Sequence, residues 1–154
     1  MQFPYHSKLE DLIRLESISG DKIISEIITH STNKKPFVTL GVTIRLKDES
    51  EVQLGKNFLY SVDSVASLNC KVSAINVFRE SGTDKHYIVY YTESNQEIAR
   101  NTFYTNAFTS GKYRRQQIPA NKRIVGVSCT TNLQGHISWI NFIAWEKSMR
   151  FVDE

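Results

Sequence analysis

The sequence predicts an all-β fold, and three observations lead to this prediction. β-branched residues are abundant, with 15 Ile, 11 Val and 11 Thr against only 6 Ala and 9 Leu. These side chains pack well on pleated sheets and lose rotational freedom in helices. A short strand-like motif also occurs three times, and apolar runs are joined by polar turns in the manner of antiparallel hairpins.

The repeated motif consists of a large aliphatic residue, Ser, any residue and Ile. It occupies residues 24–27, 72–75 and 137–140, and each copy follows a polar turn. The two aliphatic residues of a copy lie three positions apart, whereas strand alternation puts residues of one face two positions apart. The motif therefore predicts a strand that is buried on both faces or is bulged near the Ser.

Two hairpins are predicted after the first two copies of the motif. The apolar run at residues 42–46 leads through a polar turn to Val52. The run at residues 87–91 leads through a similar turn to Ile98. An apolar strand, a short polar turn and a returning apolar residue are typical of antiparallel pairing.

The third unit is shorter, because only residues 137–152 are available before the chain ends. We expect an N-terminal strand over residues 9–18 to complete its sheet and to cover an exposed edge. Leucine and isoleucine at helical spacing within residues 8–14 leave a short helical turn open as an alternative.

Residues 1–154 are predicted to form one domain, since no linker, charge run or low-complexity tract divides them. The three units favour an all-β architecture of three sheets with a pseudo-threefold repeat, in which the N- and C-terminal strands share a sheet. A β-trefoil and a two-sheet β-sandwich are the alternatives. The motif copies begin 48 and 65 residues apart, which argues against the nearly equal units of a trefoil.

Composition narrows the classes of function. The chain is 40% hydrophobic and 23% charged with a net charge of +3, a surplus too small to favour nucleic acid as a partner. No run approaches the roughly 18 to 20 apolar residues of a membrane-spanning helix. The N-terminus lacks the pattern of a secretory signal and the cysteines are few, so a soluble, cytoplasmic protein is expected. Cys70 and Cys129 are expected to be free thiols.

Nothing in the sequence is typical of an enzyme or a metal site. His6, His30, His86 and His136 are dispersed, and none has the spacing of metal ligands. Cys129 lies near His136 without a third group to orient the imidazole, so we interpret this cysteine as packed rather than catalytic. We therefore expect a non-enzyme with neither a metal nor a cofactor.

The polar loop at residues 130–136 is the first candidate binding site. It combines amides, hydroxyls, a glycine and an imidazole just before Trp139, a set that suits hydrogen bonding to a polyol beside an aromatic ring. An ordinary hairpin turn is the alternative. The candidate ligand-binding residues are Asn132, Gln134, Gly135 and His136.

A basic and aromatic segment is the second candidate. It consists of Lys112, Tyr113, Arg114 and Arg115, and Lys122 and Arg123 follow shortly after. The combination suits contact with an acidic protein partner, an anionic glycan or RNA phosphate, and a solvated turn is the alternative. The apolar stretch at residues 101–108 is interpreted as core or, if exposed, as a protein contact.

Two strings resemble the jacalin-like lectin family. The first runs from residue 24 through Thr32-Asn33-Lys34 to Gly41, and the second runs from residues 123–127 through Gly135 to residues 137–142. The resemblance implies a β-prism, in which three four-stranded sheets surround a pseudo-threefold axis, and it implies a carbohydrate ligand.

The family's sugar-contacting Asp falls on Ser138 in this chain, which adds Ser138 to the candidate ligand-binding residues. The resemblance implies a non-catalytic recognition module that binds a glycan. The alternative is a protein-interaction or structural subunit that retains the fold without sugar binding, because Ser lacks the charge and the second oxygen of Asp.

Overall fold

The described part of the chain consists of antiparallel strands joined by turns. In this computed structural model, residues 23–55, 60–106, 113, 115–131, 136–144 and 147–149 are described, and they contain no helix. The strands are β1 (Ile24–Ser31), β2 (Thr39–Leu46), β3 (Glu51–Gly55), β4 (Val62–Ser67), β5 (Ala74–Arg79), β6 (Lys85–Tyr91), β7 (Glu97–Tyr104), β8 (Gln116–Gln117), β9 (Ile124–Thr131), β10 (Ile137–Ala144) and β11 (Lys147–Met149).

The strands form three antiparallel sheets, which confirms the all-β prediction and disagrees with a two-sheet sandwich. Sheet 1 has the order β3-β2-β1-β4 and sheet 2 has the order β7-β6-β5-β8. Both are Greek keys, because three hairpin-connected strands are followed by a fourth that returns beside the first. Sheet 3 has the order β11-β10-β9. The N-terminal strand expected over residues 9–18, and its helical alternative, lie outside the described residues.

The three motif copies occupy equivalent places in the sheets. They begin β1, lead into β5 and begin β10, and each of these strands pairs with the strand that follows it in the chain. The pseudo-threefold pattern read from the sequence therefore corresponds to a repeated position in the fold.

Both predicted hairpins are present, and their turns share one geometry. In the β2–β3 turn the amide of Leu46 donates to Ser50 O at 2.9 Å, and in the β6–β7 turn the amide of Thr92 donates to Gln96 O at 2.8 Å. A residue with positive φ stands at the same place in each turn, Glu49 in the first and Asn95 in the second.

A bulge accounts for the odd spacing of the motif. The β1–β2 register shifts between Ile24 and Glu26, and the β10–β9 register shifts between Ile137 and Trp139, so that one extra residue, a Ser, is inserted in each strand. An inserted residue reverses the alternation of a strand. Both aliphatic residues of these two copies are consequently buried in the same core, and Val72 and Ile75 of the second copy are buried there as well.

That core receives side chains from all three sheets. Ile27 of sheet 1, Ile75 of sheet 2 and Ile140 of sheet 3 are fully buried within one hydrophobic cluster. Edge-to-face contacts join sheets 2 and 3, with ring centroids 5.1 Å apart for Phe103 and Trp139. Such aromatic pairs stabilise by about 0.5–1.5 kcal/mol beyond the area they bury.

The edges of sheets 1 and 2 meet at a corner where side chains take the place of a neighbouring strand. The amide of Thr102 donates to Ser64 Oγ at 2.9 Å, and the amide of Tyr104 donates to Thr39 Oγ1 at 2.8 Å. Thr29 Oγ1 donates to Thr102 O at 2.7 Å. The free edge of β7 is thereby closed without a backbone partner, which protects it from pairing with another chain.

Asn101 lies at the centre of this corner and is fully buried. Its Nδ2 donates to Ile27 O at 2.9 Å and to Ser64 O at 3.0 Å, and its Oδ1 accepts from the hydroxyl of Tyr90 at 2.8 Å. Burial raises the pKa of Tyr90, which keeps that hydroxyl protonated as a donor. The buried amide is therefore fully matched, as interiors require.

Candidate functional site

The structure describes only part of the predicted polar loop. Asn132, Gln134 and Gly135 lie outside the described residues. His136 is half-buried and directly precedes β10, and Ser138 is the inserted residue of the β10 bulge and is buried. Ligand binding by this loop remains a prediction.

Trp139 does not offer an aromatic surface to a ligand, and that part of the prediction is wrong. Its side chain is 1% exposed, with its ring held edge-on between Phe103 and His86. The reason is that β10 is buried on both faces, so that each residue from Ile137 to Phe142 is enclosed by protein.

The basic segment is also described only in part, because Lys112 and Arg114 lie outside the described residues. Tyr113 is 3% exposed and packs near His86, so its ring is enclosed by protein. The guanidinium of Arg115 lies 4.3 Å from the ring centroid of Tyr91 and donates to Asn95. A cation over an aromatic face is held in place, which fixes Arg115 against sheet 2.

A groove of about 890 Å³ opens where four separate segments of the chain meet. We call it the basic groove. Its volume falls within the roughly 300–1,000 Å³ range of small-molecule sites. The groove is lined by residues 23–26, Lys47, residues 67–72 and residues 120–124.

Backbone hydrogen bonds fix the walls of the basic groove. The amide of Lys47 donates to Ile23 O at 2.6 Å, and the amide of Leu68 donates to Ser25 O at 2.8 Å. The amide of Lys122 donates to Pro119 O at 2.9 Å within the turn that holds residues 120–124. The first two bonds join residues 23–26 to Lys47 and to residues 67–72.

Cations predominate among the described residues that line the groove. Lys47, Lys71, Lys122 and Arg123 line it, together with a single carboxylate, Glu26. The three lysines are exposed. Lys122 and Arg123 belong to the basic pattern noted in the sequence, whereas Lys47 and Lys71 carry no local signal and are brought there by the fold.

The carboxylate of Glu26 already has ion-pair and hydrogen-bond partners on sheet 1. The guanidinium of Arg45 donates to Glu26 Oε1, and Ser67 Oγ donates to Glu26 Oε2 at 3.3 Å. Arg45 also pairs with Glu51 at 2.8 Å. The lysines of the groove therefore face a carboxylate that is already paired with Arg45.

The basic groove and the polar loop lie at opposite ends of sheet 3. Ile124, at the start of β9, lines the groove, whereas Thr131, at the end of β9, leads into the loop. An eight-residue strand is about 25 Å long. The two candidate sites are therefore separate.

A chain of hydrogen bonds on sheet 1 has the connectivity of a catalytic triad. His30 Nδ1 lies 2.7 Å from Asp63 Oδ1, and His30 Nε2 lies 2.7 Å from Thr43 Oγ1. Burial alone would raise the pKa of Asp63, but hydrogen bonds from His30 and Ser61 and the nearby imidazole charge outweigh it and lower the pKa.

The access that catalysis requires is missing at this cluster. Thr43 is 4% exposed and His30 is also buried, whereas the Asp63 side chain is 48% exposed. A nucleophilic hydroxyl must reach the reacting atom of a substrate, and this one is covered. We interpret the cluster as a structural network that joins β1, β2 and β4.

Three further findings concern thiols, metals and membranes. Cys70 and Cys129 are thiols that form no disulfide, as predicted, and Cys129 is buried. Over the described ranges, no group of three or more His, Cys, Asp or Glu side chains is arranged to hold a metal ion. The same ranges hold no helix of the length and apolarity needed to cross a membrane.

Comparisons with known proteins show a likeness of fold. No protein-family model matches the chain, and no curated protein matches it in sequence. Among solved structures, part of PirB is similar, with a TM-score of 0.55 and 14% sequence identity. The likeness covers 91% of this chain and 32% of the PirB chain, so this chain spans about a third of that length. At 14% sequence identity, this similarity is evidence for the fold alone.

Proposed function

We propose that this chain is a non-catalytic recognition module of lectin-like build whose ligand occupies the basic groove. The observation that carries the proposal is the convergence of four chain segments on one groove of about 890 Å³. Concave sites with a few well-placed polar groups are where proteins hold small ligands.

The proposal includes a β-prism arrangement of the three sheets. Its support is the shared strand order of sheets 1 and 2, the equivalent places of β1, β5 and β10, and the single core that receives all three sheets. The similarity to jacalin-like lectins stated from the sequence is compatible with this arrangement. A fold alone does not determine which ligand a protein binds, so the residues that line the groove are the basis for the proposed ligand.

Recognition rather than catalysis is favoured by the chemistry of the groove. Its polar groups are ammonium and guanidinium cations, the amides of Asn69 and Asn121, and the hydroxyls of Ser25 and Ser67. Its carboxylate is held by Arg45. These groups bind and orient a ligand, and in the Asp63–His30–Thr43 cluster that has a catalytic connectivity the imidazole and the hydroxyl are buried.

A protein-interaction role is the second candidate, and exposed apolar side chains near β4 favour it. Val62 and Val65 on β4 are more than half exposed, and Tyr60 just before the strand is more exposed still. Val62 and Val65 are three positions apart in a strand of regular register, so they lie on opposite faces of β4, and each face offers apolar surface to a partner. This surface is distinct from the basic groove, so the two candidates can be tested separately.

A glycan array probed with three forms of the chain tests the proposal. The forms are the natural chain, a groove variant carrying Lys71→Gln and Lys122→Gln, and a loop variant carrying His136→Ala. We expect the natural chain to bind and the groove variant to lose binding. Binding that is lost in the loop variant instead would move the site to the polar loop, and a blank array would favour the protein-interaction role.

A further inference from the structure

We infer that the basic groove selects acidic saccharides, that is, sugars bearing sulfate or carboxylate groups, over neutral ones. This inference rests on the proposed function, since it names the ligand class of the same site. It is carried by the charges that line the groove and by the kinds of surface between them.

The positive charges that line the groove favour an anionic ligand. Lys47, Lys71 and Lys122 reach the groove from three different turns, and Lys71 Nζ donates to Pro119 O at 3.4 Å across two of these segments. Like charges gathered at one concave surface repel one another, and an anionic ligand relieves that repulsion. Sulfate and carboxylate oxygens accept charge-assisted hydrogen bonds from ammonium groups, which are stronger than neutral ones.

The remaining surface suits the body of a sugar. Ile24, Val72 and Ile124 are buried side chains that line the groove, and they supply apolar contact. Asn69 and Asn121 are exposed at the groove, and an amide offers both donors and an acceptor. Sugar rings present apolar C–H faces and hydroxyls that donate and accept, so both kinds of surface are matched.

Two other anionic classes fit the groove less well. Single-stranded nucleic acids bind through stacking on aromatic side chains, and the described lining contains none. An acidic peptide that binds as an added strand needs free backbone groups at the edge of a sheet. Here the amides of Lys47 and Leu68 at the groove are already donated to Ile23 O and Ser25 O.

Isothermal titration with matched oligosaccharides tests the inference. The probes are a heparin-derived tetrasaccharide, a galacturonic acid tetrasaccharide and a neutral galactose tetrasaccharide. We expect the two acidic probes to bind about tenfold or more tightly than the neutral probe, because one charge-assisted hydrogen bond corresponds to about that factor. Raising the salt from about 0.05 M to about 0.5 M should weaken the acidic probes only, since screening shortens the reach of exposed charges.

Charge-matched variants separate a built site from general attraction. The groove variant with Lys71→Gln and Lys122→Gln should lose about tenfold or more in affinity for the acidic probes. The control carries Lys34→Gln and Lys35→Gln, which remove the same net charge from exposed positions in the β1–β2 turn. That turn lies at the far end of β1 from the groove, so the control should bind as the natural chain does.

Each outcome decides one question. Equal binding of the neutral and acidic probes, lost in the groove variant at any salt, would overturn the charge selectivity while leaving the proposed function intact. Equal losses in the groove variant and the control would also overturn it, because attraction would then depend on net charge alone. No binding of any saccharide would remove the proposed function itself. Thermal melting of both variants checks that each is folded.

Discussion

Polar side chains play opposite parts in two regions of this molecule, the corner between sheets 1 and 2 and the basic groove. At the corner, Asn101 is fully buried and each of its polar atoms has a partner. At the groove, Lys71 and Lys122 are exposed and converge on an open space. The corner uses polar groups to join two sheets, whereas the groove leaves them exposed at its surface.

The difference shows how a structural polar group can be told from a functional one in a β protein. A structural group is buried, and its removal leaves partners unmatched in a low-dielectric interior. A recognition group is exposed and contributes little to folding, so its removal affects binding alone. The effects of substitution on stability should therefore fall steeply from the corner to the groove.

The largest effect is expected for Asn101→Ala. The substitution removes three hydrogen bonds, leaves the hydroxyl of Tyr90 without its acceptor and opens a small cavity, so the free energy of unfolding should fall by about 3 to 4 kcal/mol. Tyr90→Phe is the milder control and should lose about 1 to 2 kcal/mol. Denaturant unfolding measures both, and a loss below about 1 kcal/mol for Asn101→Ala would contradict the assignment.

A pair of glycine substitutions tests the packing of sheet 1 against sheet 3. A Cβ on Gly55 would lie 2.8 Å from Ile137 Cδ1 and 2.8 Å from Leu40 O, at a φ of +75°. Gly82 has the same φ with nothing within 4 Å. We expect Gly82→Ala to destabilise by about 1 kcal/mol, from backbone conformation alone. Gly55→Ala should destabilise by about 2 to 3 kcal/mol, because steric overlap is added.

The difference between these two glycine variants isolates the steric overlap at Gly55, with Ile137 of sheet 3 and with Leu40 O of sheet 1, since backbone conformation is common to both. Equal melting temperatures for Gly55→Ala and Gly82→Ala would mean that Gly55 is not packed against these two groups as described. A larger shift for Gly55→Ala than for Gly82→Ala supports the packing.

The strands could be predicted from the sequence, but the basic groove could not. β-branched composition and the motif predict the sheets, and the spacing of Ile24 and Ile27 predicts a strand that is bulged or buried on both faces, because these signals are local. Trp139 was misplaced because β10 is buried on both faces, and the burial of the second face depends on packing between sheets. Lys47 and Lys71 meet Lys122 only through tertiary structure, so no local pattern reveals their convergence. Likewise, no sequence pattern around Asn101 indicates that its side-chain amide joins two sheets.

A smaller effect, dependent on pH, is expected at His86. This side chain is fully buried beside Trp139, and its Nδ1 is 2.9 Å from Asp84 O. Burial is the largest influence and lowers the pKa of His86, with Arg79 acting in the same direction against the raising effect of Asp84. The neutral imidazole is therefore the form that the folded state favours.

The sign of the effect follows from that direction. In the unfolded chain His86 takes up a proton near its ordinary pKa of about 6.5, whereas the folded chain takes it up only at lower pH. The free energy of unfolding should thus be highest above about pH 6.5 and fall as the pH drops below that value. Denaturant unfolding at several pH values, repeated on His86→Phe, should show a flatter dependence in the variant. An unchanged slope would remove His86 as the cause.

The smallest effect on stability is expected at the groove, where the comparison between the two regions is sharpest. Lys71→Gln with Lys122→Gln should change the free energy of unfolding by less than about 0.5 kcal/mol, because exposed charges contribute little to folding. A loss above about 1 kcal/mol would mean that the lysine stems pack against the apolar lining, in the manner of other long charged side chains. Lys71→Met with Lys122→Met, which keeps the stems and removes the charges, distinguishes the two cases. If the Met variant regains the stability that the Gln variant loses, the loss is due to packing of the lysine stems. If all three forms are equally stable, the lysines contribute little to folding, as expected of groups that act in binding.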